Sequence, residues 1–269
     1  MAGTSPFSLW RRLLELPNTS PTKTLVVAVA VSLVCAVVVS VTAVTLKPLQ
    51  DANLIAERQA RMEEMLATLP GLGDLVAEVG GDALDAYLVD LSAGTVVEGD
   101  ALAFDALAAA DDPETSTALP ADADIAGLGQ RENQAPVYVL RDNGALSLVV
   151  LPVRGQGYQS LLQGYLALSG SLDSIAALTF YEQAETPGLG SRIQEPAWEE
   201  LWPGTEFAGP DGEIRVEVVR GKADEPWEVD GLTGATRTSN GVTNLLRFWL
   251  GPDGYGPFLA RLKSGGAGL

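Results

Sequence analysis

The chain has 269 residues, 46% hydrophobic and only 6% aromatic, with a net charge of −18, no His and one Cys. That length and apolar content suit one sizeable core or two small ones rather than disorder, and the acid excess argues against nucleic acid and reads as a solvated surface. Without His, and with a lone Cys, there is no Ser–His–Asp or Cys–His nucleophile, no Cys/His zinc site, no iron–sulfur cluster held by four cysteines and no intrachain disulfide, so chemistry here falls to a bound cofactor.

Residues 1–24 read as a short tail in which Arg11, Arg12 and Lys23 face Glu15. Residues 25–46, "LVVAVAVSLVCAVVVSVTAVTL", hold no charge and lie between Lys23 and Lys47. As a helix this stretch spans roughly 33 Å, enough to cross a bilayer and too long for the apolar region of a signal peptide. Cys35 within it reads as a small apolar filler. Lys and Arg are near parity on the two sides, so their count alone does not orient the span. The short positive tail favours the cytoplasm, which places the large domain outside it. Residues 47–70 keep a helical pattern, with Leu54 or Ile55, Met62, Met65 or Leu66, and Leu69 on one face. Pro48 is expected to interrupt the join, and Pro70 and Gly71 to end a juxtamembrane helix.

Residues 71–269 read as one extracytoplasmic domain. Residues 85–97 predict strand, turn, strand, and the Ala- and Asp-rich 101–129 a loose, partly helical connection. The clearest hairpin is 135–157, with Val137, Val139, Leu146, Leu148 and Val150 in strands and Asp142-Asn143-Gly144 as the turn. Residues 165–183 hold two further strands and 213–221 another, while 195–204 suggests a short helix. The best-formed helix is 240–250. Val242, Leu245, Leu246, Trp249 and Leu250 share one face, and Gly251-Pro252 stops it. The fold class expected is α+β: a single N-terminal transmembrane helix, then a domain around a mainly antiparallel sheet.

Two loops ask for a role. "DGLTGATRTSNGV" (230–242) lies just upstream of that helix, and Thr238, Ser239 and Asn240 are all good N-cap residues. A helix N-terminus offers free N–H groups and partial positive charge, which suits phosphate, and Gly234 permits close approach or positive φ. A Thr-rich cap that merely starts a helix explains the same residues, and no Lys follows the Gly as in a Walker loop. "YEQAETPGLGSRI" (181–193) holds a rigid turn at Glu185-Thr186-Pro187-Gly188, and Gly188 and Gly190 allow close approach; an ordinary Pro-Gly loop fits equally.

Taken together, in order, the two stretches resemble the covalent-FMN subunit of the sodium-pumping NADH:quinone oxidoreductase. The resemblance runs over nearly the whole chain, through one N-terminal transmembrane helix, "LKPLQDANLIAERQ", "PVRGQGYQSLLQGYLAL", "FYEQAETPGLG" and "DGLTGATRTSNGV". It implies that Thr233-Gly234-Ala235-Thr236 is the family's Ser/Thr-Gly-Ala-Thr flavinylation motif. Thr236 then carries FMN through a phosphoester. Thr233 belongs to the recognised motif, Thr238 starts the helix, and Glu185, Thr186, Gly188, Leu189 and Gly190 line the flavin. No metal is implied. A separate Mg-dependent flavin transferase would move FMN from FAD onto the hydroxyl, so the missing His is no obstacle.

The resemblance further implies an electron-relaying subunit in the bacterial inner membrane, with the large domain periplasmic and other subunits of an NADH:quinone reductase as partners. This chain has Gln183-Ala184 where the family has His-Gly, so a proton-handling role for that His is not expected. Two other readings stand beside this one. They are the related flavin subunit of an Rnf-type ferredoxin:NAD oxidoreductase, which shares the Thr motif, and a membrane-tethered binding domain without redox function.

Overall fold

The computed structural model describes residue 17 and residues 20–68, 84–142 and 144–266. Arg11, Arg12 and Glu15 of the tail, the Leu69-Pro70-Gly71 helix end and Asn143 of the hairpin lie outside this set, as do the side chains expected on the 49–69 apolar face. The chain divides into two compact units, Met1–Glu57 and Arg58–Leu269.

Helix α1, Pro21–Thr68, runs for 48 residues. Proline suits its first turn because the N–H it lacks would be unpaired there. The stretch Pro21–Lys47, 27 residues, is long and apolar enough to cross a membrane. Its threonines return their hydroxyls to the preceding turn: Thr42 donates to the Val38 carbonyl and Thr45 to that of Val41, both at 2.8 Å. That local satisfaction lets polar residues sit in an apolar span. The break expected at Pro48 is not seen, since the helix continues through it. The missing N–H removes one bond of the ladder, which a long helix tolerates as a local defect.

In the second unit, β1 (Leu84–Asp90), β2 (Thr95–Val97), β5 (Gln134–Asp142), β6 (Ala145–Gln156), β7 (Leu161–Ser169) and β8 (Ile175–Glu182) form one sheet. Its order is β2-β1-β5-β6-β7-β8, every pair antiparallel. Asp142 pairs with Ala145 across the β5–β6 turn, where Gly144 takes φ +83°. Positive φ is what a two-residue hairpin turn demands. Helix α2 (Ala106–Asp111) and the strand pair β3 (Ser116–Ala118) with β4 (Gln130–Glu132) fill the connection expected to be loose.

Beyond β8 come a 3-10 turn (Gly190–Gln194), α3 (Pro196–Glu199), β9 (Glu217–Val219), β10 (Glu228–Asp230), α4 (Thr236–Leu250) and α5 (Gly256–Lys263). The strand expected over 213–221 shrinks to β9, which pairs in parallel with β10 in a separate small sheet. Helix α5 was not expected from the sequence; its eight residues carry too short an apolar pattern to stand out.

Val149, Leu151 and Val153 of β6 face one way, into a core shared with Val242, Leu245, Leu246 and Trp249 of α4; Leu148 and Val150 face the other. Such alternation with both faces apolar is a sheet buried on two sides. Helix α4 packs on β6 and β9. Glycine sets how closely. A Cβ on Gly155 would lie 2.9 Å from the Leu245 Cβ, and one on Gly241 would lie 2.7 Å from the Gln156 carbonyl oxygen. The end of β6 and the N-terminal half of α4 therefore meet nearly backbone to backbone.

Candidate functional site

The site forms where three segments meet: the end of β6 and its following turn, the loop after β8, and the N-terminus of α4. The loop into α4 is fixed upstream. Asp230 ends β10, its carboxylate accepts from the Ala223 N–H at 2.6 Å, and its carbonyl accepts from the Trp198 indole at 3.0 Å. Gly231 then passes so close to β9 that a Cβ would sit 2.3 Å from the Val219 carbonyl oxygen. Gly234 turns the chain at φ +82°, a conformation that any residue with a Cβ adopts at a cost.

The helix starts earlier than its sequence predicts. Ala235 donates to the Leu232 carbonyl and accepts from Ser239, both at 3.0 Å, which makes Ala235 the cap and Thr236 the first helical residue. Thr238, Ser239 and Asn240 are therefore inside α4 and cap nothing. The hydroxyls that made Thr238 and Ser239 good caps have tertiary partners instead, the Glu185 carboxylate and the Leu232 N–H. Ala235 offers no side-chain cap, so the first-turn N–H groups keep no intrahelical or cap acceptor. Thr233, Gly234, Thr236 and Arg237 are exposed around this end, and Ala235 and Thr238 are buried.

Glu185 lies under this helix end, 4% exposed. Its carboxylate accepts from the backbone N–H groups of Gln159 at 2.9 Å, Ser160 at 3.1 Å and Tyr158 at 3.2 Å. The Ser160 hydroxyl adds a bond at 3.2 Å and the Thr238 hydroxyl one at 2.6 Å. Burial alone would raise its pKa. The Thr238 hydroxyl and the Gln159, Ser160 and Tyr158 amides outweigh burial and hold it below the usual carboxylate value.

The other residues singled out from the sequence sit around this junction. Gly190 is buried against it, and a Cβ there would lie 2.5 Å from the Thr238 hydroxyl oxygen. The Thr186 hydroxyl accepts from Gln159 Nε2 at 2.9 Å. Gly188 turns at φ +72° into open space. Leu189 is exposed and reaches Gly234, its Cδ2 lying 3.1 Å from where a Cβ would stand. Gln183 braces the loop: its amide accepts from the Glu185 N–H at 2.7 Å and donates to Gln194 at 2.9 Å.

The structure thus brings both loops to one place but divides their residues. Thr233, Gly234, Thr236, Gly188 and Leu189 face solvent. Glu185, Thr238 and Gly190 are spent inside. Sequence reasoning missed the 157–160 turn, whose 158–160 amides gather on Glu185, and Tyr158, an exposed ring with the Arg237 guanidinium 5.1 Å from its centroid. The signal was available as Gly155-x-Gly157 at a strand end, a mark of close backbone approach.

An anionic phosphate ester fits this arrangement: an exposed hydroxyl on the first residue of a 15-residue helix, an uncapped set of N–H groups, and an Arg one residue on.

Residues 157–251 match the family model described as FMN-binding domain. The chain is 44% identical over 257 residues to the NqrC component of the Na(+)-translocating NADH-quinone reductase of Pseudomonas aeruginosa, covering 92% of this chain and 98% of that protein. It is 39% identical over 250 residues to the same component of the Vibrio alginolyticus reductase, covering 92% and 97%. The crystal structure of Shewanella oneidensis NqrC superposes with a TM-score of 0.70 at 32% identity, covering 78% of this chain and 99% of that one. Nearly full-length identity of this order, over the same fold, shows that the chain belongs to the NqrC family of Na(+)-translocating NADH-quinone reductase subunits.

Proposed function

We propose that this chain is the electron-transfer subunit of a sodium-translocating NADH:quinone reductase and carries FMN on Thr236. The observation that carries the reading is the position of Thr236: exposed, first in α4, at a helix end with no side-chain cap. When bound, FMN supplies the reversible uptake and release of electrons. The chain's own part is to hold and present. Attachment would join the Thr236 Oγ1 to phosphorus as the phosphoanhydride of FAD breaks, with AMP as the leaving group and the hydroxyl proton going to the flavin transferase. The first-turn N–H groups and Arg237 would hold the ester's negative charge. Thr233 and Gly234 shape the motif the transferase reads, and Thr186, Gly188 and Leu189 border the flavin.

Family membership supports the remaining assignments of this reading. Helix α1 anchors the chain in the bacterial inner membrane, the FMN-binding domain stands on the periplasmic side, and the partners are the other subunits of the complex. The chain is one part of that oxidoreductase and no enzyme by itself. The relatives found are NqrC proteins, which disfavours the Rnf-type alternative.

The test is direct. The full-length chain, coexpressed with a flavin transferase, should gain the mass of one FMN less water and fluoresce as a band on a denaturing gel. Thr236→Ala should abolish both. A native chain without added mass, or a Thr236→Ala chain that still gains it, overturns the assignment. Thr233→Ala should label more slowly through poorer recognition.

A further inference from the structure

Glu185 and Thr238 belong to the two loops that border the attachment residue, yet neither side chain is free to touch a flavin. Thr238 is 2% exposed and Glu185 4%, and they are joined by the 2.6 Å hydrogen bond. The glycines around them are shaped by that contact. A Cβ on Gly190 would lie 2.5 Å from the Thr238 hydroxyl oxygen and 2.9 Å from the Glu185 Cβ, and one on Gly157 would lie 2.7 Å from Glu185 Oε1. Three segments distant in sequence have been packed to make room for one buried bond.

We propose that Glu185 and Thr238 are positioning residues for flavin attachment: their bond latches the first turn of α4 to the Tyr158–Ser160 turn and so fixes the pose of the Thr236 hydroxyl. The proposal rests on the reading of Thr236 as the attachment residue.

Two physical arguments carry it. The first is geometric. At about 3.6 residues per turn, side chains two positions apart on a helix point about 200° apart. Holding Thr238 inward therefore holds Thr236 outward, which is where it stands. It also removes one of the loop's hydroxyls from reach of an incoming phosphoryl group. The second concerns the helix end. An uncapped first turn frays, and the usual remedy is an N-cap side chain that accepts from the N2 or N3 amide. Here that remedy would occupy the donors a phosphate ester needs. The Thr238 hydroxyl ties the turn down as a donor instead, leaving those amides open. Glu185 serves as the fixed end because four further hydrogen bonds, from Tyr158, Gln159 and Ser160, hold it.

The experiment follows FMN attachment in time by intact mass, using the full-length chain in detergent with FAD, Mg²⁺ and a flavin transferase. It is run well below the unfolding midpoint of each variant, so that differences in folded fraction do not enter. Thr238→Val keeps the shape and loses the hydroxyl; its rate is expected to fall about tenfold, the size of one lost hydrogen bond to a charged group. Thr238→Ser should restore most of the native rate. A bond of merely structural importance would lower the unfolding temperature of Thr238→Val and leave its labelling rate native, and that result overturns the proposal. Glu185→Gln is the second variant should Thr238→Val not fold, and a native rate there overturns it equally. If the native chain takes no FMN, the reading of Thr236 fails and this one with it. If the native chain and Thr238→Val label alike, only the latch fails.

Discussion

The two ends of α4 each lean on a buried carboxylate, and the carboxylates are satisfied in opposite ways. Towards the C-terminal end, Trp249 donates its indole N–H to the Arg154 carbonyl at 2.6 Å and lies 5.4 Å beneath the Arg154 guanidinium, which pairs with Glu132. Both charges are buried and cancel each other. Glu185, at the N-terminal end, meets donors that are all neutral, three amides and two hydroxyls, so its charge is solvated by the fold and remains. Around the neutralised pair every α4 side chain from Phe248 to Leu250 is buried; around the solvated carboxylate Thr236 and Arg237 stand in the open. One end is built to be kept and the other to be reached.

The largest test of that contrast is Arg154→Met. Removing one member of a buried pair leaves the other uncompensated, and about 3–5 kcal/mol of stability should be lost. Denaturant titration followed by the fluorescence of the buried Trp198, Trp202 and Trp249 reads it. Flavin attachment to the folded fraction should be native. If Arg154→Met slowed attachment as strongly as it lowered stability, the two ends of the helix would be one unit and the contrast would be lost. At the other end Gly190→Ala forces a methyl into the latch, where a Cβ lies 2.5 Å from the Thr238 hydroxyl oxygen. A smaller loss of about 1–3 kcal/mol is expected from such overpacking. Here attachment should fall too, and a variant that lost stability alone would place the latch with the structural end.

The pH response separates the ends at lower amplitude. Glu185 has a folded pKa below its ordinary value of 4.5. It therefore contributes stability that is fully present above the unfolded pKa and is lost as pH falls through the folded one. Unfolding midpoints measured downward from neutral pH should decline through the carboxylate range, and Glu185→Gln should flatten that part of the decline. An unchanged acid profile in Glu185→Gln would mean that the amides and the Thr238 hydroxyl do not favour the charged form.

Much of this was legible in the sequence, and what was not has a physical cause. The antiparallel strands show because apolar residues alternate and Gly144 marks a turn that needs positive φ. The span 25–46 shows because twenty-two residues without charge have few other uses. The loops at 181–193 and 230–242 were readable as a pair, but their division of labour was not. Thr238 and Ser239 look like caps since local propensity is all a sequence displays, and tertiary partners overrode it. Glu185 looks like a loop acid because no local pattern tells that the 158–160 amides will converge on it from twenty-five or more residues away. Arg154 and Glu132 gave no signal either, being an ordinary pair of charges until β4 and β6 bring them together.

The smallest expected effect on stability is the most informative about function. Thr236 is exposed and first in its helix, where no side-chain cap bond is made. Alanine is the better helix former, so Thr236→Ala should change stability by no more than about 0.5 kcal/mol in either direction. Thr236→Ser, which keeps the hydroxyl, should be equally quiet. The two should part only in attachment, abolished in alanine and retained in serine. A residue whose loss leaves the fold untouched and removes the cofactor serves the site alone. Were Thr236→Ala to cost several times that amount, Thr236 would be holding the helix end together, and the open end of α4 would be as structural as the closed one.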